Sequence, residues 1–185
     1  MSSVEQHRLE VVEQTLALYD LAELYRPWLE RNVSSELSYH GQQHLAVVAI
    51  HAHRLAEEYL ESSDEALYLF LAGLYHDYNH TGDASAHDSK NILKALEAWR
   101  AVAHEFSLLE MLKPVAKLIM ATEHDSTPAT VAETIIREAD YAYVLEPDKE
   151  LWYDRLTIEL GVPVTEESTN SYLSKLKFRY LAVKS

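Results

Sequence analysis

Residues 66–75, Ala-Leu-Tyr-Leu-Phe-Leu-Ala-Gly-Leu-Tyr, carry no charge, and His76 and Asp77 follow them directly. A run this apolar must be buried, so it delivers an imidazole and a carboxylate into the interior. Burying a bare charge is very costly. A metal ion removes that cost, because it binds neutral imidazole and ionised carboxylate together. His44, His80 and Asp140 extend the pair to a spaced set, H…HD..H…D. The set points to a metal site inside a helical domain, and to hydrolytic chemistry.

Composition supports helices. The 185 residues are 48% apolar, with only 4 Gly and 5 Pro. Few breakers and many Leu, Ala and Glu disfavour turn-rich β structure. This length suits one domain with a real core, so we expect a single domain over residues 1–185. The formal charge of −14 argues against broad binding to nucleic acid backbones or anionic membranes. It leaves room for a small phosphorylated substrate, since a metal supplies positive charge locally. With no cysteine there is no disulfide framework and no thiolate zinc site. The start, Met1-Ser-Ser-Val-Glu-Gln-His, is unlike a signal peptide, and no apolar run reaches membrane-spanning length. We therefore expect a cytoplasmic protein, with a homodimer left open.

Apolar spacing predicts helices along the whole chain. One runs over 4–25, through Leu9, Val12, Leu16 and Tyr19, before Pro27 interrupts or reorients it. A second runs from about Tyr39 to Leu60, and one of its stripes holds His40, His44, Val47, Val48, His51 and Leu55. A buried helix covers 65–76, and Asp77 to Ser85 reads as a polar loop. Asp88 or Ser89 could cap the next helix, whose apolar face is Ile92, Leu96, Trp99 and Ala103. Further helices follow at 108–122, 129–145, 149–160 and 168–182. No strand pattern is convincing. The expected fold is all-α, a bundle of about six to eight helices.

His40 and His44, four residues apart, can point from one helix toward one site. His76 and Asp77 stand where a helix ends and the chain can turn. Asp140 lies on an apolar stripe with Ile136 and Val144, so its carboxylate needs a partner. Two His and two Asp leave coordination positions open, as a catalytic metal requires. Such an ion lowers the pKa of water to about 7 and offsets charge developing on a phosphoryl oxygen. His40, one turn from a ligand, is placed to protonate a leaving oxygen.

These motifs are similar to those of the HD superfamily of metal-dependent phosphohydrolases, all-α proteins named for the His-Asp pair. The likeness is to the small bacterial predicted phosphohydrolases and to the cyclic-nucleotide phosphodiesterase core. Tyr39-His40-Gly-Gln-Gln-His44 resembles Tyr-His-Asn-x-x-His, and His76-Asp-Tyr-Asn-His80-Thr-Gly82 resembles His-Asp-x-Asp-His-x-Gly. Ala121-Thr-Glu123 resembles an Ala-Thr-Asp segment, and Ala139-Asp140 matches the distal Ala-Asp. The resemblance runs over 39–145, more loosely to Gly161. It implies a helical bundle of the phosphodiesterase type, with His44, His76, Asp77 and Asp140 as metal ligands. It also implies His40 as the acid, and His80 as an orienting group or one near a second metal. Gly41 and Asn79 depart from the motifs. The chain also ends too soon after Asp140 to contain the purine pocket of the cyclic-nucleotide enzymes, so their reaction is not expected.

Several residues carry alternatives. His40 is an acid or an orienting group. His80 acts in catalysis, binds a second metal, or is a solvated loop histidine. His124 binds a second metal or is a partly buried structural histidine. His51 reads as a satisfied core histidine, His104 as exposed, and His7, His53 and His87 as surface residues. The turn from Asp88 to Asn91 reads as capping. Lys90, Lys94 and Arg137 could hold a substrate phosphate, though solvated helix charges are the default. The leading expectation is a phosphohydrolase with a divalent ion, drawn from Zn, Mn, Mg, Ni and Fe, acting on a small phosphomonoester or phosphodiester such as a nucleotide. The alternatives are a di-iron oxygenase drawing on His80, His104 and His124, and a ligand-binding signalling module without turnover.

Overall fold

The computed structural model describes residues 1–82, 88–176 and 178–182, and among these there is no strand. Among the described residues nine α-helices follow one another: α1 (Ser3–Leu18), α2 (Tyr25–Arg31), α3 (Gln42–Tyr59), α4 (Ser63–Tyr75), α5 (Ser89–Glu105), α6 (Leu109–Ala121), α7 (Val131–Ala139), α8 (Lys149–Leu160) and α9 (Glu166–Leu173). Two 3-10 turns, Ala22–Leu24 and Ala142–Leu145, join them. The expected all-α fold is present. None of these helices is long and apolar enough to cross a membrane.

The bundle is built around α3 and α4. Leu67, Leu69, Phe70, Leu71 and Leu74 of α4 are all buried, because the uncharged run 66–75 lies inside. Leu45, Val47, Val48 and Ala52 of α3 face it and are equally buried. Gly73 sets the distance between the two helices: a Cβ there would lie 2.5 Å from the Ala49 Cα. Only a residue without a side chain lets the backbones approach this closely. α1 and α7 pack against α3, and α6 and α7 against α4. Trp28 of α2 closes the end of α4: its indole N–H donates to the Leu74 carbonyl at 2.9 Å. That satisfies one of the carbonyls left over in a last helical turn.

Several boundaries differ from the sequence reading, each for a local reason. The first helix stops at Leu18, because Asp20 takes φ 59° and turns the chain. Pro27 stands in the first turn of α2, where its missing N–H costs nothing. α3 begins at Gln42, so His40 and His44 do not share a helix; His40 lies in the turn before it. The expected 129–145 helix ends at Ala139, and Asp140 follows at its C-terminal end. The last expected helix is shorter and earlier, Glu166–Leu173, started by a Thr165–Ser168 capping box. His53 is half-buried rather than on the surface: it bonds the Tyr19 hydroxyl at 2.8 Å and packs edge-on to Phe70. His7 and His104 are exposed as expected, and His87 lies outside the described residues.

One polar network ties α1 to the segment after Asp140. Arg8, 4% exposed, is forked over Glu146 at 2.6 Å and over Asp148, while His51 bonds the other Glu146 oxygen at 2.7 Å. His51 is thus the satisfied core histidine the sequence suggested. Arg155 pairs with Glu5 alongside and stacks over Trp152. Burial alone would raise the Glu146 pKa, but the bonds from His51 and Arg8 outweigh it and hold the carboxyl below its ordinary range.

Two outcomes follow from this packing. Gly73→Ala should overpack the α3–α4 contact and cost about 1–3 kcal/mol in urea denaturation. The lowered Glu146 pKa means its stabilising contribution is complete above the unfolded carboxylate range, about 4 to 4.5, and is lost as pH falls through and below it. Arg8→Ala should cost about 3 kcal/mol at neutral pH, because it strands two half-buried carboxylates, and should flatten that acid dependence in denaturation series run from pH 7 to pH 3.

Candidate metal centre

Four side chains from three helices meet beneath a cleft. His44 comes from the first turn of α3, His76 and Asp77 from the end of α4, and Asp140 from the end of α7. The Gly73 approach brings α3 and α4 close enough for His44 Nε2 and His76 Nε2 to stand 3.2 Å apart. Asp140 Oδ1 lies 3.1 Å from His44 Nε2 and 3.4 Å from His76 Nε2. Asp77 Oδ2 lies 3.5 Å and 3.2 Å from the same two nitrogens. All four donor atoms fall within 4.8 Å of one another.

The donor set fits a divalent ion. Ligand atoms bonded at about 2.0–2.2 Å to a four- or six-coordinate ion sit about 2.8–3.6 Å apart, a range that includes the five distances above. His76 Nδ1 donates to the Gly73 carbonyl at 2.9 Å, which leaves Nε2 facing the cluster and able to ligate an ion once its proton is displaced. His44 Nδ1 is buried with no hydrogen-bond partner among the described residues. The imidazoles are 1% exposed, whereas the Asp77 and Asp140 side chains are 13% and 28% exposed. The open side of the cluster is therefore its carboxylate side. Burial would raise both carboxyl pKa values, but the bonds and charge of His44 and His76 hold both well below the ordinary range. Burial would likewise lower His76, yet the two carboxylates raise it well above the usual imidazole value.

A second group adjoins the first. His40, His80 and Glu159 also offer ligand-type atoms within 4.8 Å of one another. The His40 and His80 rings stack at 3.8 Å, nearly parallel. His40 Nδ1–H donates to Glu159, and Glu159 also accepts the backbone N–H of Tyr39 at 2.7 Å and of His40 at 3.2 Å. That leaves His40 Nε2 facing Asp77, 3.8 Å away. Burial opposes charge on His40, but Glu159, Asp77 and Asp140 outweigh it and raise its pKa. His80 moves the other way, down to about 4, through burial and the neighbouring His40 charge.

The cleft above both groups has a volume of about 550 Å³, and His80, Asn91, His124, Arg137 and Tyr141 line its walls. His124 is exposed on this wall and belongs to neither ligand group among the described residues. His104 is exposed on α5 and also stands apart from both groups. Lys90 and Lys94 are exposed and line no part of the cleft, whereas Arg137 does. The Arg137 guanidinium bonds the Ser126 and His124 carbonyls, which ties down the loop after α6.

The Asp88–Asn91 turn does not cap as expected. The Asp88 carboxylate accepts the His124 N–H at 2.7 Å, and its side chain makes no bond to its own helix. Asn91, buried, accepts the Thr81 N–H at 3.1 Å and contacts His80 at 2.8 Å. His80 is therefore a held residue and not a solvated one.

Glu159 was not found from the sequence. The signal was an acidic residue in the last turn of a helix, where the dipole disfavours it. It is kept there by two backbone N–H groups and an imidazole. The departures from the family motifs also have local causes. Asn79 takes φ 65°, a conformation Asn tolerates well, and its side chain accepts the Val33 N–H. A Cβ at Gly41 would lie 2.8 Å from the Leu37 carbonyl oxygen.

No protein-family model matches this chain, and neither does any curated protein or solved structure.

The cluster makes a direct prediction. Asp77→Ala should abolish binding of the divalent ion, measured by elemental analysis after dialysis against a trace-metal buffer. The ion should also stabilise the fold, because it binds only the folded site. Chelation should lower the melting temperature of the native chain and leave that of Asp77→Ala unmoved.

Proposed function

We propose that the protein is a metal-dependent phosphohydrolase of the HD type, acting on a small phosphorylated metabolite. The observation that carries this reading is the convergence of His44, His76, Asp77 and Asp140, open to a cleft on its carboxylate side. The motif resemblance over 39–145 points the same way. When bound by these four side chains, a divalent ion supplies hydroxide at neutral pH and offsets charge on a phosphoryl oxygen.

The chain's own residues would do the rest. Glu159 holds His40 with its Nδ1–H engaged and favours the charged imidazole, so that Nε2–H is available over the cleft. His80, stacked on it and kept neutral, backs the ring and fixes its plane. The opposed pKa directions of the two imidazoles separate donor from spectator. Arg137, the arginine on the cleft wall, would sit near the anionic group of a substrate. The net charge of −14 repels polyanions at range, which favours a compact phosphoester over RNA or DNA.

A second reading, the di-iron oxygenase, is favoured by the adjoining His40, His80 and Glu159 group, which could hold a second ion. Two equivalents of iron and an oxygen-dependent product would select it.

The test is elemental analysis of the purified protein, then a panel of nucleotides, sugar phosphates and nucleic acids with the identified metal. Hydrolysis of a small phosphoester is expected. Cleavage of RNA or DNA alone would sink the substrate assignment. His40→Ala should keep its metal and lose turnover by about a hundredfold or more, as expected for a lost proton donor. Glu159→Gln should lower kcat with little change in KM. Loss of metal in His40→Ala equal to that in Asp77→Ala would make His40 a ligand instead.

A further inference from the structure

Between α7 and the segment after α9 lies a hollow that the phosphate chemistry leaves unused. Its volume is about 530 Å³, and it shares Arg137 and Tyr141 with the cleft. Pro128, Leu176 and Phe178 give it apolar walls, and Arg137 and Arg179 are its cations. The buried Glu138 builds one side of it. The Glu138 carboxylate accepts the backbone N–H of Arg179 and of Tyr180, each at 2.6 Å, and of Leu181 at 2.7 Å. These bonds pin the segment to α7 and hold Arg179 at the hollow.

Charge marks the hollow as a site. In this chain of net charge −14, guanidinium groups such as those of Arg8, Arg31 and Arg155 are set against carboxylates. Arg137 instead bonds the Ser126 and His124 carbonyls, the Arg179 guanidinium lies 5.9 Å over the Tyr180 ring, and among the described residues neither forms an ion pair. Glu138, the one acid on the wall, has its oxygens turned to the three backbone donors. Two cations against one carboxylate leave one positive charge, which suits a monoanion. A guanidinium also matches the flat, two-oxygen face of a carboxylate. A phosphate monoester carries about two negative charges and three acceptor oxygens, and the backbone donors that could meet them are already taken by Glu138.

We propose that this hollow holds a carboxylate of the substrate, bound by Arg137 and Arg179. Resting on the phosphohydrolase reading, the substrate is then a phosphorylated carboxylic acid. The spacing along α7 sets its size. Arg137 precedes Asp140 by three residues, a rise of about 4.5 Å along a helix, so both anionic groups belong to one short molecule. Its carbon chain passes Tyr141 while its phosphate lies over the cluster. Arg137 stands on the shared wall and serves both anionic groups, whereas Arg179 lines the hollow and not the cleft, so it serves the carboxylate alone.

The test compares matched substrates on the metal-loaded full chain. 3-Phosphoglycerate is set against glycerol 3-phosphate, and O-phosphoserine against O-phosphoethanolamine, each pair differing at the carboxylate. For at least one pair the acid should show a kcat/KM about tenfold or more above its partner. Arg179→Ala should cut that preference about fivefold or more, through KM and with kcat kept. Arg179→Lys should restore part of it, because the charge returns without the planar fork. Circular dichroism confirms that both variants are folded. No preference for either acid, or a preference that Arg179→Ala leaves intact, overturns the proposal. Turnover of fructose 1,6-bisphosphate above both acids, lost in Arg179→Ala, overturns the carboxylate in favour of a second phosphate. Full-length Asp77→Ala, which should lack the ion, separates the hollow from the chemistry. By ligand-observed NMR it should still bind at least one acid more tightly than its partner, and adding Arg179→Ala should abolish the difference. Such binding without hydrolysis of any phosphoester by the native chain would refute the phosphohydrolase reading and leave the hollow standing.

Discussion

The site depends on one close contact between two helices. α4 touches α3 backbone to backbone at Gly73, where the nearest Ala49 atom would be 2.5 Å from any added Cβ. From this contact His76 extends one turn beyond Gly73, and its ring returns a hydrogen bond to the Gly73 carbonyl. The same glycine therefore sets the distance between helices and the direction of a ligand nitrogen. His44, in the first turn of α3, meets that nitrogen because the helices are already in contact. An Asp140 presented from α7 then closes a set of four ligand-type side chains. Without an ion the carboxylates are held by the imidazoles and raise the His76 pKa, and a divalent ion would take the place of that proton.

The fold class and the four converging side chains were legible because each rests on a strong local signal. The uncharged run 66–75 could only be a buried helix, and the residues after it had to be paired with something. The carboxylate of Asp140 on an apolar stripe carried the same message. What was hidden were the places where the chain leaves a helix. Asp20 and Asn79 adopt left-handed backbone, and nothing in apolar periodicity marks such turns. His40 was assigned to a helix because i,i+4 spacing looks identical in a helix and in a turn followed by one. Glu159 lies 119 residues from the His40 it orients, and pairings at that separation leave no periodic trace.

Charge placement explains how so acidic a chain holds together. Arg8 lies buried between Glu146 and Asp148, and Arg155 pairs with Glu5, so guanidinium groups are placed where carboxylates crowd. Planar, always-charged donors suit that task better than lysine. The same network fixes the segment immediately after Asp140, through the Glu146–His51 bond. Stability and site geometry thus share one set of ion pairs. Arg137 is used differently, since its partners are carbonyls of the loop after α6 and not carboxylates. Its charge is left for the cleft.

The stacked His40–His80 pair shows why two chemically identical side chains need not play identical parts. Parallel imidazoles 3.8 Å apart cannot both be charged cheaply. Environment decides between them. His40 faces Glu159 on one nitrogen and Asp77 on the other, so the charge settles there. His80 is held by the Gly82 N–H and by Asn91, neither of which is negative, and so stays neutral. Exchanging those neighbours would exchange the roles. The division of labour is written in what surrounds each ring, in the same way that the four side chains beneath them acquire meaning only from being brought together.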